Sequence, residues 1–209
     1  MLFESGQKIV FIGDSITDTG RRGPSIPYGA GYVDQVRSFI MARYRERRLN
    51  FVNRGVNGDT TRNLLARWQT DVIAEQPDWL SLMIGINDVW RAFGGDAHQA
   101  VSLDEYAENL RHLIELTAVK TNARLILLTP YMIEPQRQNP MRAQMDRFGD
   151  VVKSVAGEAS TLLVDTQQAF DDALRNTTSR DWASDKVHPN GPGHAVIALA
   201  FLRAAGFEL

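Results

Sequence analysis

The chain has 209 residues, 44% of them hydrophobic and 23% charged, with a formal net charge of −2 and no cysteine. That length suits one domain over 1–209 with a proper core. The charge balance leaves no electrostatic footprint for nucleic acid or an anionic membrane, and the lack of cysteine removes disulfides and thiolate metal sites.

The opening stretch, MLFESGQKIVFIG, does not read as a signal peptide. Glu4 and Gln7 interrupt it, no basic n-region precedes it, and its apolar run is too short. No stretch approaches the roughly 20 apolar residues of a membrane span. A cytoplasmic protein with no membrane partner is the expectation.

The first predicted strand, KIVFI at 8–12, stops abruptly at Gly13-Asp14-Ser15. The second, NFVN at 50–53, leads into NRGVNGDTT, and the third, WLSLMIG at 79–85, leads into GINDVW. A helix follows over 103–118, where Leu103, Tyr106, Leu110, Leu113, Ile114 and Thr117 recur at three- and four-residue steps. Asp104 and Glu105 suit its positive end. The fourth strand is RLILLT at 124–129, followed by a helix over 141–156 with Met145, Phe148, Val152 and Val155 on one face. The fifth strand is TLLVDT at 161–166, and a last helix over 193–205 presents Ile197, Phe201 and Leu202.

Most of these strands are continuous apolar runs, as expected when both faces are covered. Strand alternating with helix means parallel strands and right-handed crossovers. The predicted fold is therefore α/β: three layers, α/β/α, around a five-stranded parallel sheet in the flavodoxin-like order 2-1-3-4-5. Such sheets bind ligands beyond the carboxyl ends of their strands, where the strand order reverses. The irregular stretches 20–30, 91–101, 131–140 and 176–192 are long enough to line such a site.

In that order strand 1 lies between strands 2 and 3, about 4.8 Å from each. Ser15, Gly55 and Asn87 then leave from neighbouring strand ends. A serine hydroxyl attacking a carbonyl creates an oxyanion that needs donors already in place. The backbone N–H of Ser15, the backbone N–H of Gly55 and the side-chain amide of Asn87 are the candidates. The base is sought in SDKVHPNGPGH. Asp185 and His188 are three residues apart there, so the carboxylate can orient the imidazole toward Ser15.

Together these blocks resemble the SGNH hydrolase superfamily, also called the Gly-Asp-Ser-Leu family. The first block reads Gly13-Asp14-Ser15-Ile16, the second matches at Gly55, the third is Gly85-Ile86-Asn87-Asp88 and the last Asp185-Lys186-Val187-His188. The likeness spans 10–194. MIGINDVW, NPMRAQMD and LLVDTQQAF are further similar to compact intracellular bacterial esterases that deacetylate xylan fragments. That likeness implies an acetylated sugar as the small-molecule ester substrate and a homo-oligomeric assembly. Hydroxyl-based hydrolysis calls for no metal and no other cofactor.

Plainer readings stand beside these. Ser15 suits a helix cap, Asn87 a turn, and Gly55 an ordinary strand end. Asp14 is either a cap or turn residue of the Ser15 loop or a substrate contact. Trp90 and Trp182, in or beside irregular stretches, either stack on a sugar or fill gaps, and Tyr28 shares that choice. His194 rivals His188, but His-x5-His without cysteine is a weak metal signal. His98 and His112 read as surface residues. A short-chain lipid esterase, a lysophospholipase or a thioesterase would use the same chemistry. A non-catalytic carbohydrate-binding or scaffolding module would use the same fold without it.

Overall fold

The structure, a computed structural model, describes residues 1–23 and 27–208; part of the predicted loop 20–30 lies outside them. The strands are β1 (Lys8–Gly13), β2 (Asn50–Gly55), β3 (Trp79–Met83), β4 (Arg124–Leu128) and β5 (Leu162–Val164). They form one parallel sheet in the order 2-1-3-4-5, as predicted. The helices are α1 (Ser15–Asp18), α2 (Tyr32–Arg43), α3 (Thr61–Trp68), α4 (Ile86–Phe93), α5 (Leu103–Lys120), α6 (Pro140–Glu158), α7 (Thr166–Ala173), α8 (Ser179–Trp182) and α9 (Gly191–Ala204).

Strand side chains alternate between faces, and both faces are covered. Phe11 of β1 packs on Tyr32 of α2 and Phe201 of α9. Its neighbour Ile12 points the other way and is level with Leu82 of β3. Leu82 lies beside Tyr106 and Leu110 of α5 and Val152 of α6. The sheet is thus sandwiched between α2/α9 and α5/α6. The central strand β3 is buried along its whole length, which is why it reads as an apolar run broken only by the small Ser81.

Helix starts follow from local chemistry. Ser102 Oγ accepts from Glu105 N–H at 3.2 Å to open α5. Asn139 caps α6, and Pro140 at its first position lacks the N–H that would go unpaired. β5 ends at Val164, two residues before the predicted end, because the Asp165 carboxylate caps α7, accepting from Gln168 N–H at 3.0 Å. Among the described residues, no helix is long and apolar enough to cross a membrane.

Candidate active site

Gly13 pairs in register with Gly55 on one side and Met83 on the other. β2, β1 and β3 therefore end level, and the chain leaves all three at one edge of the sheet. Beyond β1, Asp14 Oδ1 accepts from Ile16 N–H at 3.0 Å and opens α1. Ser15 is the first residue of that helix, so its own N–H has no intrahelical acceptor. Asp14 is 1% exposed. That corrects its reading as a substrate contact: its carboxyl is shut beneath the site and acts as the cap. Burial pushes its pKa up to about 7; the Ile16 N–H opposes this, and Asp88 and Asp59 add to it.

Ser15 Oγ lies 3.1 Å from His188 Nε2, and His188 Nδ1 lies 2.7 Å from Asp185 Oδ2. The other carboxylate oxygen of Asp185 accepts from the backbone N–H of Val187 at 3.0 Å and of His188 at 2.8 Å. One acidic side chain thus folds the loop and turns the imidazole. Partial burial raises the Asp185 pKa, but the hydrogen bonds from the His188 ring and the two backbone N–H groups outweigh it. The carboxyl is held below its ordinary value. A carboxylate at Nδ1 places the ring proton there and leaves Nε2 to accept from Ser15. The loop's neck is closed by an antiparallel bridge between Ala183 and Pro189 and by Asn190 N–H on Trp182 O at 2.8 Å.

Asn87, the second residue of α4, donates through Nδ2 to Asp59 O at 3.0 Å. Its amide carries a second hydrogen. Gly55 does not offer its N–H: that group is committed to Asn53 Oδ1 at 2.8 Å. Nor is Gly55 an idle strand end, since a Cβ there would stand 2.2 Å from Asp18 N. Its bareness lets α1 press against the end of β2, and the expected oxyanion role is corrected accordingly.

A nearby glycine escaped the sequence reading. Gly58 has φ +82°, and its N–H has no acceptor among the described residues. Its carbonyl accepts from Arg91 Nη2 at 2.9 Å. The signal was present in Asn57-Gly58-Asp59, a turn sequence whose glycine tolerates positive φ.

Of the aromatic candidates, Trp90 stands against the His188 imidazole, the two ring centroids 5.5 Å apart at a 53° tilt. Trp182 instead donates its indole N–H to Thr177 Oγ1 at 2.7 Å, bracing α8. His194 is buried, and its Nδ1 accepts from Tyr32 N–H at 3.3 Å. Burial, aided by the charge of His188, lowers its pKa to about 4, so the ring is neutral. His98 and His112 are exposed.

A parallel α/β sheet with a hydroxyl, an imidazole and a carboxylate in series at its carboxyl edge is the design of a serine hydrolase. The chain belongs to the GDSL-like lipase/acylhydrolase family, whose sequence profile matches residues 11–196. It is 47% identical to the acetylxylan esterase of Geobacillus stearothermophilus, over 100% of this chain and 98% of that protein. The crystal structure of that esterase superposes with a TM-score of 0.95 at 46% identity, covering 100% of this chain and 98% of the other. An alpha/beta hydrolase from the metagenome of Lake Arreo matches with a TM-score of 0.94 at 46% identity, covering 99% and 98%. Catalytic mutants of the Geobacillus esterase replace a serine, an aspartate or a histidine by alanine.

Proposed function

We propose that the protein is a serine carboxylic-ester hydrolase that removes acetyl groups from acetylated xylo-oligosaccharides. Ser15 Oγ attacks the ester carbonyl while His188 Nε2 takes its proton, and Asp185 stabilises the imidazolium. The oxyanion is received by the N–H groups of Ser15 and Gly58 and by the free hydrogen of the Asn87 amide. His188 returns its proton to the leaving sugar hydroxyl. Water then attacks the acyl-serine by the same route, releasing acetate. Trp90, beside His188, offers its face to the sugar.

The observation that carries this reading is the unbroken series from Ser15 Oγ through His188 to Asp185 at 3.1 and 2.7 Å. The sugar acetate comes from the 47% identical esterase. Acetate release from acetylated xylo-oligosaccharides, compared with acetyl, butyryl and octanoyl aryl esters, tests it in wild type and Ser15→Ala. Wild type is expected to prefer the sugar acetate, and Ser15→Ala to fall to the residual given by binding and the oxyanion donors. Preference for the octanoyl ester would make it a lipid esterase, and near-normal turnover by Ser15→Ala would end the proposal.

Self-association belongs to the same reading. Phe39 and Met41 of α2 and Leu199 of α9 are large exposed apolar side chains on two helices that pack together. Sedimentation velocity is the check; a single monomeric species at micromolar concentration would remove this part.

A further inference from the structure

Lys186 lies between Asp185 and His188 with φ +68°. That left-handed conformation is disfavoured for any residue with a Cβ. It persists only where the surroundings hold it. The holding contacts come from the stretch that leaves β4. Ile133 N–H donates to Lys186 O at 2.8 Å. Lys186 Nζ reaches Glu134 Oε2 at 2.5 Å. Tyr131 Oη lies 3.4 Å from Val187 O.

The far end of this tether is itself fixed. Glu134 is 4% exposed. Its Oε1 accepts from Gln136 N–H at 3.0 Å, and its backbone carbonyl accepts from Arg142 Nη1 at 2.6 Å. Arg142 is buried in α6 and also binds Asp146 and Asp171 at 2.7 and 2.8 Å. Burial raises the Glu134 pKa, but Lys186, the Gln136 N–H and Arg142 more than reverse this and keep it ionised. A buried carboxylate is costly unless paired. Here the partner is one of the two residues that separate the loop members of the triad, and neither Glu134 nor Lys186 bonds to Ser15, His188 or Asp185.

We propose that Glu134 and Lys186 are positioning residues: their ion pair holds the left-handed turn that brings Asp185 Oδ2 to His188 Nδ1. The inference rests on the Ser15–His188–Asp185 reading above. With the pair intact, Lys186 cannot relax toward negative φ without drawing its ammonium from a buried anion. Without the pair the turn opens, and Asp185 and His188 lose their common register.

The test compares wild type, Ser15→Ala, Lys186→Ala, Lys186→Gly, Glu134→Gln and the Glu134→Gln/Lys186→Ala double variant, reading kcat and KM on 4-nitrophenyl acetate together with the thermal midpoint. Lys186→Ala is expected to lose about tenfold in kcat with KM within about twofold, as for misplaced catalytic groups. Lys186→Gly should recover much of that loss, because glycine adopts positive φ without a Cβ. Glu134→Gln should lower kcat less than Lys186→Ala, and the double variant should be no worse than Lys186→Ala, since both break one contact. A merely structural role would move the midpoint and leave kcat of the folded fraction alone. Full kcat in Lys186→Ala and Glu134→Gln, or no recovery in Lys186→Gly, would overturn the proposal while an inactive Ser15→Ala left the triad reading standing. Turnover retained by Ser15→Ala would remove the triad reading and this inference with it.

Discussion

Asn87 and Arg91, four residues apart on one face of α4, hold two successive carbonyl oxygens, those of Asp59 at 3.0 Å and Gly58 at 2.9 Å. One helix thus fixes the Gly58 turn and supplies an amide donor beside it. The two side chains differ in what they touch next. Asn87 keeps a second amide hydrogen, which the proposed mechanism gives to the oxyanion, whereas Arg91 Nη1 turns to Gln99 Oε1 at 2.7 Å.

That difference separates their substitutions. Asn87→Ala removes a donor and a grip on the turn, and should cost about 10²–10³ in kcat. Arg91→Ala removes only a grip, and should cost on the order of tenfold through misplacement of Gly58. Steady-state rates on 4-nitrophenyl acetate decide it. Equal losses would mean that Asn87 contributes nothing beyond holding the turn.

The two glycines after β2 are expected to fail in different ways. Gly55→Ala places a Cβ 2.2 Å from Asp18 N, in backbone that cannot retreat without moving Ser15. It should lower stability by about 1–3 kcal/mol or more, as overpacking does. At Gly58 the nearest atom to an added Cβ is Arg91 Nη2 at 3.8 Å, so there is room. The cost is the positive φ of +82°, about 1–2 kcal/mol. Gly58→Ala should therefore fold and lose turnover, because relaxing φ swings its N–H away. Denaturant midpoints and kcat on both variants are the check. Normal turnover in folded Gly58→Ala would return the third donor to an unassigned position.

What sequence could and could not reveal follows from these residues. The strand order was readable because β1, β3 and β4 are dominated by apolar residues and are separated by helical stretches. Ser15 and Asn87 were readable because each closely follows a predicted strand, and the Asp185–His188 spacing because it shortly precedes the last predicted helix. α2 was not delimited, because Phe39 and Met41 put large apolar side chains on its exposed surface and blur the helical period. Gly55 and Gly58 stand three residues apart in one turn-rich stretch. Only the bond from Gly55 N–H to Asn53 Oδ1 tells packing glycine from candidate donor, and that bond depends on where β2 ends. Trp90 and Trp182 are likewise indistinguishable until the partners of their rings are known.

Asp14 makes stability depend on pH in a stated direction. Its carboxyl titrates at 3.8 in an open chain and at about 7 in the fold. The folded form therefore holds a proton that the unfolded form has lost between these values. Its contribution is present below about pH 4 and disappears as pH rises through about 7. Asp14→Asn keeps an oxygen to cap Ile16 N–H and cannot ionise. The difference in thermal midpoint, variant minus wild type, should grow steadily from pH 4 to pH 8, because only wild type meets the growing cost of a buried charge. Taking the difference cancels the other carboxyls. A flat difference across that range would mean that Asp14 is not protonated in the folded protein at pH 4–7.

Trp90 tests the sugar half of the proposed substrate. Its ring sits 5.5 Å from the His188 ring, close enough to flank the leaving group that receives the imidazole proton. An aromatic face against a sugar contributes binding that a small aryl acetate does not need. Trp90→Ala is expected to raise KM for acetylated xylo-oligosaccharides about tenfold, the equivalent of about 1.4 kcal/mol. Its kcat/KM for 4-nitrophenyl acetate should fall by about threefold or less. Paired kinetics on the two substrates read the contrast directly. If both substrates lost equally, the indole would serve only to pack the imidazole, and the sugar platform would have to be sought elsewhere on the carboxyl edge of the sheet.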